Sequence, residues 1–476
     1  MGAEAMTFSS LIFLFAFFPI SLLLYYLVPQ KAKNTALVVI SLLFYAWGMP
    51  KYMVLLAFSI FFNYFAGLGI ARSKAADKRH AALTYMVIAT VVNLLLLGFF
   101  KYDGFLIENI NHLFHLSLTY TPLPLPIGIS FYTFQALSYL FDIYMEKAPV
   151  QENFINFAVY VSFFPKITSG PIVQYHDMVD QLTHRSCDLV KFGEGAKLFI
   201  IGLGKKVLLA DGLNTTFTAV SALPANGIST LTAWVGCITY TLVIYFDFSG
   251  YSDMAIGLAK MFGFDFAKNF DYPYISESVT EYWRRWHISL GRWFRDYVYI
   301  PLGGNRNGLA KNIRNIIIVW LLTGLWHGAA WNFIFWGGFY GALLLLEKFV
   351  LKDFLPKIPA AVKHIFTMLM VMIGWVFFFS PTLPSGLLWV GRMFGIGAPA
   401  AADAAGRYYL TQSLALIIIG AFGATPAAAR IGRGISAMAR GKYRLALRIV
   451  SCCLILVLSM AYMVNSTYST FLYFKF

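Results

Sequence analysis

The decisive stretch is EYWRRWHISLGRWFRDYVYIPLGGNR, residues 281–306, followed after a short basic linker by LLTGLWHGAAWNFIFWGG, residues 321–338. Within it, large apolar residues fall at Trp283, Trp286, Leu290, Trp293, Phe294, Tyr297 and Val298, the spacing of one stripe on an α-helix through residue 300. Arg285, Arg292 and Asp296 fall off that stripe, while Arg284, His287 and Arg295 flank it. A helix with a tryptophan-rich face and several arginines is expected to lie in the membrane interface, its guanidinium groups reaching the headgroups. Spacing alone leaves His287 open between an ordinary polar residue of an anchor helix and a functional one. The turn Pro301–Arg306 places two glycines beside arginines, where backbone N–H groups and guanidinium forks can meet a phosphate.

His327 sits in the uncharged run Ile316–Trp336 among Trp320, Trp326, Trp331 and Trp336. Gly324, Gly328 and Ala329 leave room for close helix approach or a small cavity. An ionisable residue inside an apolar run is a functional-site hypothesis; the rival reading is a core histidine bonded to a neighbouring carbonyl. Burial disfavours the imidazolium, so a neutral histidine able to take a proton is expected. Such a base suits the removal of a hydroxyl proton during attack on a thioester or ester carbonyl. The chain has no Gly-x-Ser-x-Gly elbow and no His-Glu-x-x-His pair. What these residues allow is direct, base-assisted transfer without a covalent enzyme intermediate or a metal.

Outward from this stretch the chain reads as membrane helix. Of 476 residues, 59% are hydrophobic and 12% charged, about half the charge of an ordinary soluble domain, and the mean hydropathy is +0.66. The net charge of +15 lies in short loops between apolar segments, so it reads as the cytoplasmic bias of membrane proteins rather than as nucleic-acid binding. Part of it can face a phosphorylated donor or anionic membrane lipid. Cys187, Cys237, Cys452 and Cys453 have neither metal-ligand spacing nor a disulfide framework.

Apolar segments recur at Phe8–Val28, Thr35–Trp47, Tyr52–Ala71, Leu83–Phe100, Ile127–Tyr144, Thr230–Phe246, Phe333–Val350, His364–Ser380, Tyr409–Phe422 and Leu445–Tyr462. Phe105–Leu118 is more mixed, and Met254–Phe264 reads as a separate short helix beyond the acidic break Asp247–Asp253. Pro165–Pro171 is expected to be irregular backbone, tolerated at membrane depth only where protein or water covers it. The fold class is therefore an all-α polytopic membrane protein of roughly 11–13 membrane helices, with re-entrant and interfacial pieces, in one domain over residues 1–476.

The two histidine motifs together resemble the membrane-bound O-acyltransferase (MBOAT) family, in the branch of the alginate O-acetylation membrane subunit. The resemblance extends to FYAWG (44–48), IGISFYTFQALSYLFDIY (127–144), FFPKITSGPIVQY (163–175), YFDFSGYSDMAIG (245–257) and the terminal FLYFKF (471–476). It implies a ring of tilted helices thinned at the centre, where donor and acceptor meet from opposite faces. It also implies that His327, in Trp-His-Gly, is the catalytic histidine and that His287 is the second functional one. Where the branch commonly reads Trp-Val-Phe-Phe-Arg, this chain reads Trp375 to Phe379 with no arginine.

The expectation is a multi-pass O-acetyltransferase of the bacterial cytoplasmic membrane. It would move acetyl from a thioester donor, acetyl-CoA, to a hydroxyl of an extracytoplasmic envelope polysaccharide, directly or through an extracytoplasmic acetyltransferase partner. Alginate, peptidoglycan and a secreted exopolysaccharide are all compatible acceptors. Arg284, Arg285 and Arg306 are candidates for the donor phosphates, and no bound cofactor is expected. D-alanyl transfer to teichoic acid from a carrier protein, an envelope-precursor transporter and a non-catalytic scaffold are the rival readings.

Overall fold

The computed structural model describes residues 6–121, 123–438 and 441–465, and the terminal motif at 471–476 lies outside them. Among the described residues every regular element is helical. The chain forms two compact units, Met1–Phe199 with Met254–Ala267, and Ile200–Asp253 with Lys268–Phe476.

The first unit contains α1 (Phe18–Leu27), α2 (Lys33–Gly48), α3 (Met53–Ala75), α4 (Arg79–Phe114), α5 (Ile129–Tyr144), α6 (Phe154–Ser162), α7 (Phe164–Ile167) and α8 (Tyr175–Thr183). Leu83–Phe100 and Phe105–Leu118, separate segments in the sequence reading, are one 36-residue helix, α4. No proline interrupts it, and a lone Lys101 or Asp103 does not stop a helix whose backbone bonds are all internal. Buried Asn63 and Asn93 exchange amide bonds of 3.1 and 2.7 Å, tying α3 to α4, the kind of polar contact that orders helices in apolar surroundings. The segment Pro165–Pro171, expected to be irregular throughout, is helical through Ile167 in α7 and irregular only over 168–171, and it is wholly buried. Its Lys166 is held by Gln135 Oε1 and the Tyr160 carbonyl, over the Tyr160 ring.

The helix α9 (Leu189–Gly204) leads into the second unit. There follow α10 (Gly212–Ser221), α11 (Thr230–Met261), α12 (Val279–Arg285), α13 (Ile288–Phe294), α14 (Leu309–His327), α15 (Trp331–Leu345), α16 (Ala360–Phe379) and α17 (Leu383–Met393). The set ends with α18 (Ala404–Gly423), α19 (Pro426–Met438) and α20 (Lys442–Asn465). The acidic break expected at Asp247–Asp253 is absent, because α11 runs straight through it. The acids are paired where they stand: Lys206 Nζ lies 2.7 Å from Asp211 and 2.6 Å from Asp247, and Lys205 Nζ lies 2.6 Å from Asp253.

Among the described residues, six helices are long and apolar enough to cross a membrane, or seven if α18 and α19, bent by 74°, form one span. The protein is thus an all-α, multi-pass membrane protein. The larger number read from sequence includes short or broken apolar helices such as α5, α14 and the helical stretch Phe13–Leu27.

Candidate active site

The continuous helix expected over 281–300 is broken at its histidine. Ser278 caps α12 by accepting from the Glu281 N–H, and the helix ends at Arg285. Trp286 is extended, His287 adopts φ 46° and ψ 53°, and α13 restarts at Ile288. Left-handed backbone is uncommon for a residue with a side chain and persists where surroundings enforce it. Here the neighbouring backbone is tied to residues 269–271: Ile288 N–H donates to the Asn269 carbonyl, and Asp271 N–H donates to the Arg285 carbonyl. The kink buries His287 to 2% exposure. It stands edge-on to Phe248 at 4.7 Å and faces Trp326 at 6.1 Å between ring centroids. Burial pushes its imidazole down to about 3, so it is neutral across the physiological range.

The apolar run Ile316–Trp336 is likewise two helices rather than one. Helix α14 ends on His327, Gly328–Ala330 is extended, and α15 begins at Trp331. The two cross backbone to backbone, because a Cβ on Gly324 would lie 2.3 Å from the Phe333 carbonyl oxygen, and one on Gly337 2.3 Å from that of Trp320. Asn332 then donates to the carbonyls of Phe377 and Ser380, fastening the start of α15 to the end of α16. His327 is buried between Trp326 and Trp336, both at 4.9 Å, and Phe378 at 5.3 Å. Trp326 therefore contacts both histidine rings, at 6.1 Å from His287 and 4.9 Å from His327 between centroids.

Two cavities lie at this centre; His287 lines one of them, and His327 lines neither. One of about 230 Å³ is lined by His287 with Trp283, Trp286, Arg295 and Thr323 among others. A second, of about 750 Å³, carries Arg284, Lys348 and Lys352 together with Ser278 and Thr280. Tyr299, Ile316 and Trp320 line both. The larger cavity is bordered by Glu347, whose carboxylate accepts from Val279 N–H, Thr280 N–H and the Thr280 hydroxyl at 2.6–2.8 Å and so caps α12.

The three arginines singled out in the sequence separate here. Arg284 lines the larger cavity. Arg285 is engaged with Glu281 and Asp271 and braces the kink. Arg306 is exposed on the Gly-Gly turn and lines neither cavity. Asn269, Lys348 and Lys352 escaped the sequence reading, since nothing in spacing ties residues 269 or 348 to a motif at 284–287. Phe379, where the resembling branch carries arginine, packs on Phe217, Tyr240 and Trp389 in an apolar pocket.

Residues 146–382, which hold both histidines, match the membrane-bound O-acyltransferase family. The chain is 44% identical over 398 residues to "Probable alginate O-acetylase AlgI" of Azotobacter vinelandii, covering 82% of this chain and 79% of that protein. It is 36% identical over 426 residues to the peptidoglycan O-acetyltransferase of Helicobacter pylori, covering 82% and 80%. It is 30% identical over 243 residues to the teichoic acid D-alanyltransferase of Bacillus subtilis, covering 48% and 60%. Identities of 36–44% along about four-fifths of the alginate and peptidoglycan relatives, in a helical membrane scaffold with two buried histidines, make this chain a member of the membrane-bound O-acyltransferase family, in its alginate O-acetylation branch.

Proposed function

We propose that the chain transfers acetyl from acetyl-CoA to a hydroxyl of an extracytoplasmic envelope polysaccharide, alginate or peptidoglycan, either directly or through a partner acetyltransferase. The bacterial cytoplasmic membrane is the setting this implies. The reading rests chiefly on the pair of cavities that share Tyr299, Ile316 and Trp320. The larger supplies Arg284, Lys348 and Lys352 for the phosphates of the donor. The smaller has room for an acetyl thioester but little more, and it is lined by His287.

His327 is the general base. The acceptor oxygen attacks the thioester carbonyl carbon while its proton passes to the neutral imidazole. The C–S bond then breaks and the thiolate takes that proton. A C–O ester bond has replaced a C–S thioester bond, with no covalent enzyme intermediate. His287, which lines the smaller cavity, orients the reacting groups. Burial of both rings, at 4% exposure for His327 and 2% for His287, suits a proton acceptor and an orienting group held close to the reacting atoms. The alginate and peptidoglycan acetyltransferase names of the relatives favour acetyl as the transferred group.

Labelled acetyl-CoA supplied to the protein in nanodiscs, with envelope polysaccharide added, tests the reading. Thioester consumption and label transfer that vanish in His327→Ala support it. Transfer only from a carrier-protein thioester would replace acetyl-CoA as donor, and wild-type transfer by His327→Ala would refute the assignment of the base.

A further inference from the structure

Asn269 lies in the segment between α11 and α12 and is 1% exposed. Its side-chain oxygen accepts from the Ser289 backbone N–H at 3.1 Å and from the Ser289 hydroxyl at 2.9 Å. A backbone N–H can only donate, so the amide atom facing it is the oxygen. The amide nitrogen donates to Ser252 Oγ, itself buried on α11, at 3.1 Å, a contact that accompanies this orientation without setting it, since a hydroxyl can also donate. His287 Nδ1 is 3.3 Å from that oxygen. The Ser289 hydroxyl also lies 3.5 Å from Nδ1, but its hydrogen is directed to the Asn269 oxygen at the shorter distance of 2.9 Å, and this arrangement assigns a hydrogen to Nδ1. In a neutral imidazole the lone pair then belongs to Nε2.

We propose that Asn269 is a positioning residue for acyl transfer: its amide oxygen holds His287 as the Nδ1–H tautomer and so makes Nε2 the atom that accepts a hydrogen bond from a reacting group. This rests on the reading that His287 takes part in the transfer. The arrangement parallels the orienting partner of a catalytic or metal-binding histidine, where the group on one ring nitrogen sets the chemistry of the other. A carboxamide rather than a carboxylate is what a neutral buried imidazole calls for, since it accepts the N–H without adding a buried charge or stabilising imidazolium. The Ser289 backbone N–H keeps the amide from turning over, because a turned amide would set its N–H₂ against a group that can only donate. A turned amide would present N–H₂ to Nδ1 and reverse the tautomer.

The test uses protein labelled with ¹⁵N-histidine in nanodiscs, with the His287 resonances located by their loss in His287→Gln, and acetyl transfer from acetyl-CoA measured in parallel. Wild type is expected to show the Nδ1–H form. Asn269→Leu, of similar shape but without an acceptor, is expected to lose that form and to lower kcat about tenfold or more, with KM for acetyl-CoA little changed. Asn269→Asp restores an acceptor; it is expected to recover the tautomer and most of kcat, and to move the acid limb of the pH profile upward, which a merely structural role would not do. Should Asn269→Leu fail to insert, Asn269→Ala, which also lacks the acceptor, is expected to lose the Nδ1–H form likewise. An Nε2–H form in wild type, or the Nδ1–H form retained in whichever of Asn269→Leu and Asn269→Ala inserts, overturns the proposal. Loss of the tautomer together with wild-type transfer by His287→Gln instead refutes the part given to His287, and the function proposed for Asn269 falls with it.

Discussion

Gly324 and Gly337 pack backbone against backbone: a Cβ added to Gly337 would sit 3.1 Å from both the nitrogen and the Cα of Gly324. This contact sets the crossing of α14 and α15, and with it the place of His327 at the end of α14. Gly337→Ala brings its new carbon to 2.3 Å from the Trp320 carbonyl, where only backbone movement can relieve the clash. The expected cost is about 1–3 kcal/mol, typical of overpacking. Thermal unfolding in detergent measures it, and transfer activity should fall more steeply than stability because Trp320 also walls both cavities.

Lys206 should matter more to stability than Lys205. Its side chain is 3% exposed and sits between Asp211 and Asp247, whereas Lys205 and Asp253 are each about a quarter exposed. Lys206→Met leaves two aspartates without this counter-charge. A loss of about 3–5 kcal/mol is expected, the usual result of removing one partner from a buried pair. Comparing its melting temperature with that of Lys205→Met checks the order.

His287 links stability to pH. Its folded value is about 3, below the usual 6.5 of an unfolded histidine. The unfolded chain therefore binds a proton first as pH falls. The stability associated with the neutral buried ring is complete above about pH 6.5 and declines between there and about pH 3, by at most about 1.4 kcal/mol per pH unit. His287→Gln should flatten the dependence across that window. Denaturation midpoints collected from pH 7 down to 4 would show it; an unchanged slope would mean that other groups dominate.

Glu347 caps α12 from the far end of α15, where the chain makes a π-turn over Leu346–Val350. Glu347→Ala frees two backbone N–H groups at the start of the helix that carries Arg284. About 1–2 kcal/mol of stability should be lost, the cost of deleting a strong cap. If the larger cavity receives the donor, KM for acetyl-CoA should rise while kcat at saturation changes less.

Arg284 and Arg306 distinguish cavity from motif. Arg284→Ala is expected to raise KM for acetyl-CoA about tenfold, the loss of one charge-assisted phosphate contact. Arg306→Ala, on the exposed turn, should leave KM near wild type. Equal effects of the two would return the phosphate site to the Gly-Gly turn.

Much of this protein was legible in its sequence. Long apolar runs need no tertiary contact to specify helices, because each helix satisfies its own backbone bonds and lipid accepts its side chains. The two histidines stood out because an ionisable group among tryptophans is costly unless it is used. The chain order could not reveal that His287 lies in a kink instead of along a helix, since left-handed φ at a histidine arises from bonds to residues 269–271. Nor could it sort Arg284 from Arg285, neighbours in sequence that face a cavity and an ion pair respectively. The helix through Asp247 and Asp253 was equally hidden, because whether an acid breaks an apolar helix depends on a lysine some forty residues away. Sequence by itself determined the membrane fold, the family and the pair of histidines, all of which follow from local composition and contiguous motif. Tertiary structure alone decided which cations share a cavity, which amide faces His287 and how closely α14 approaches α15, because these depend on atoms brought together only when distant segments pack.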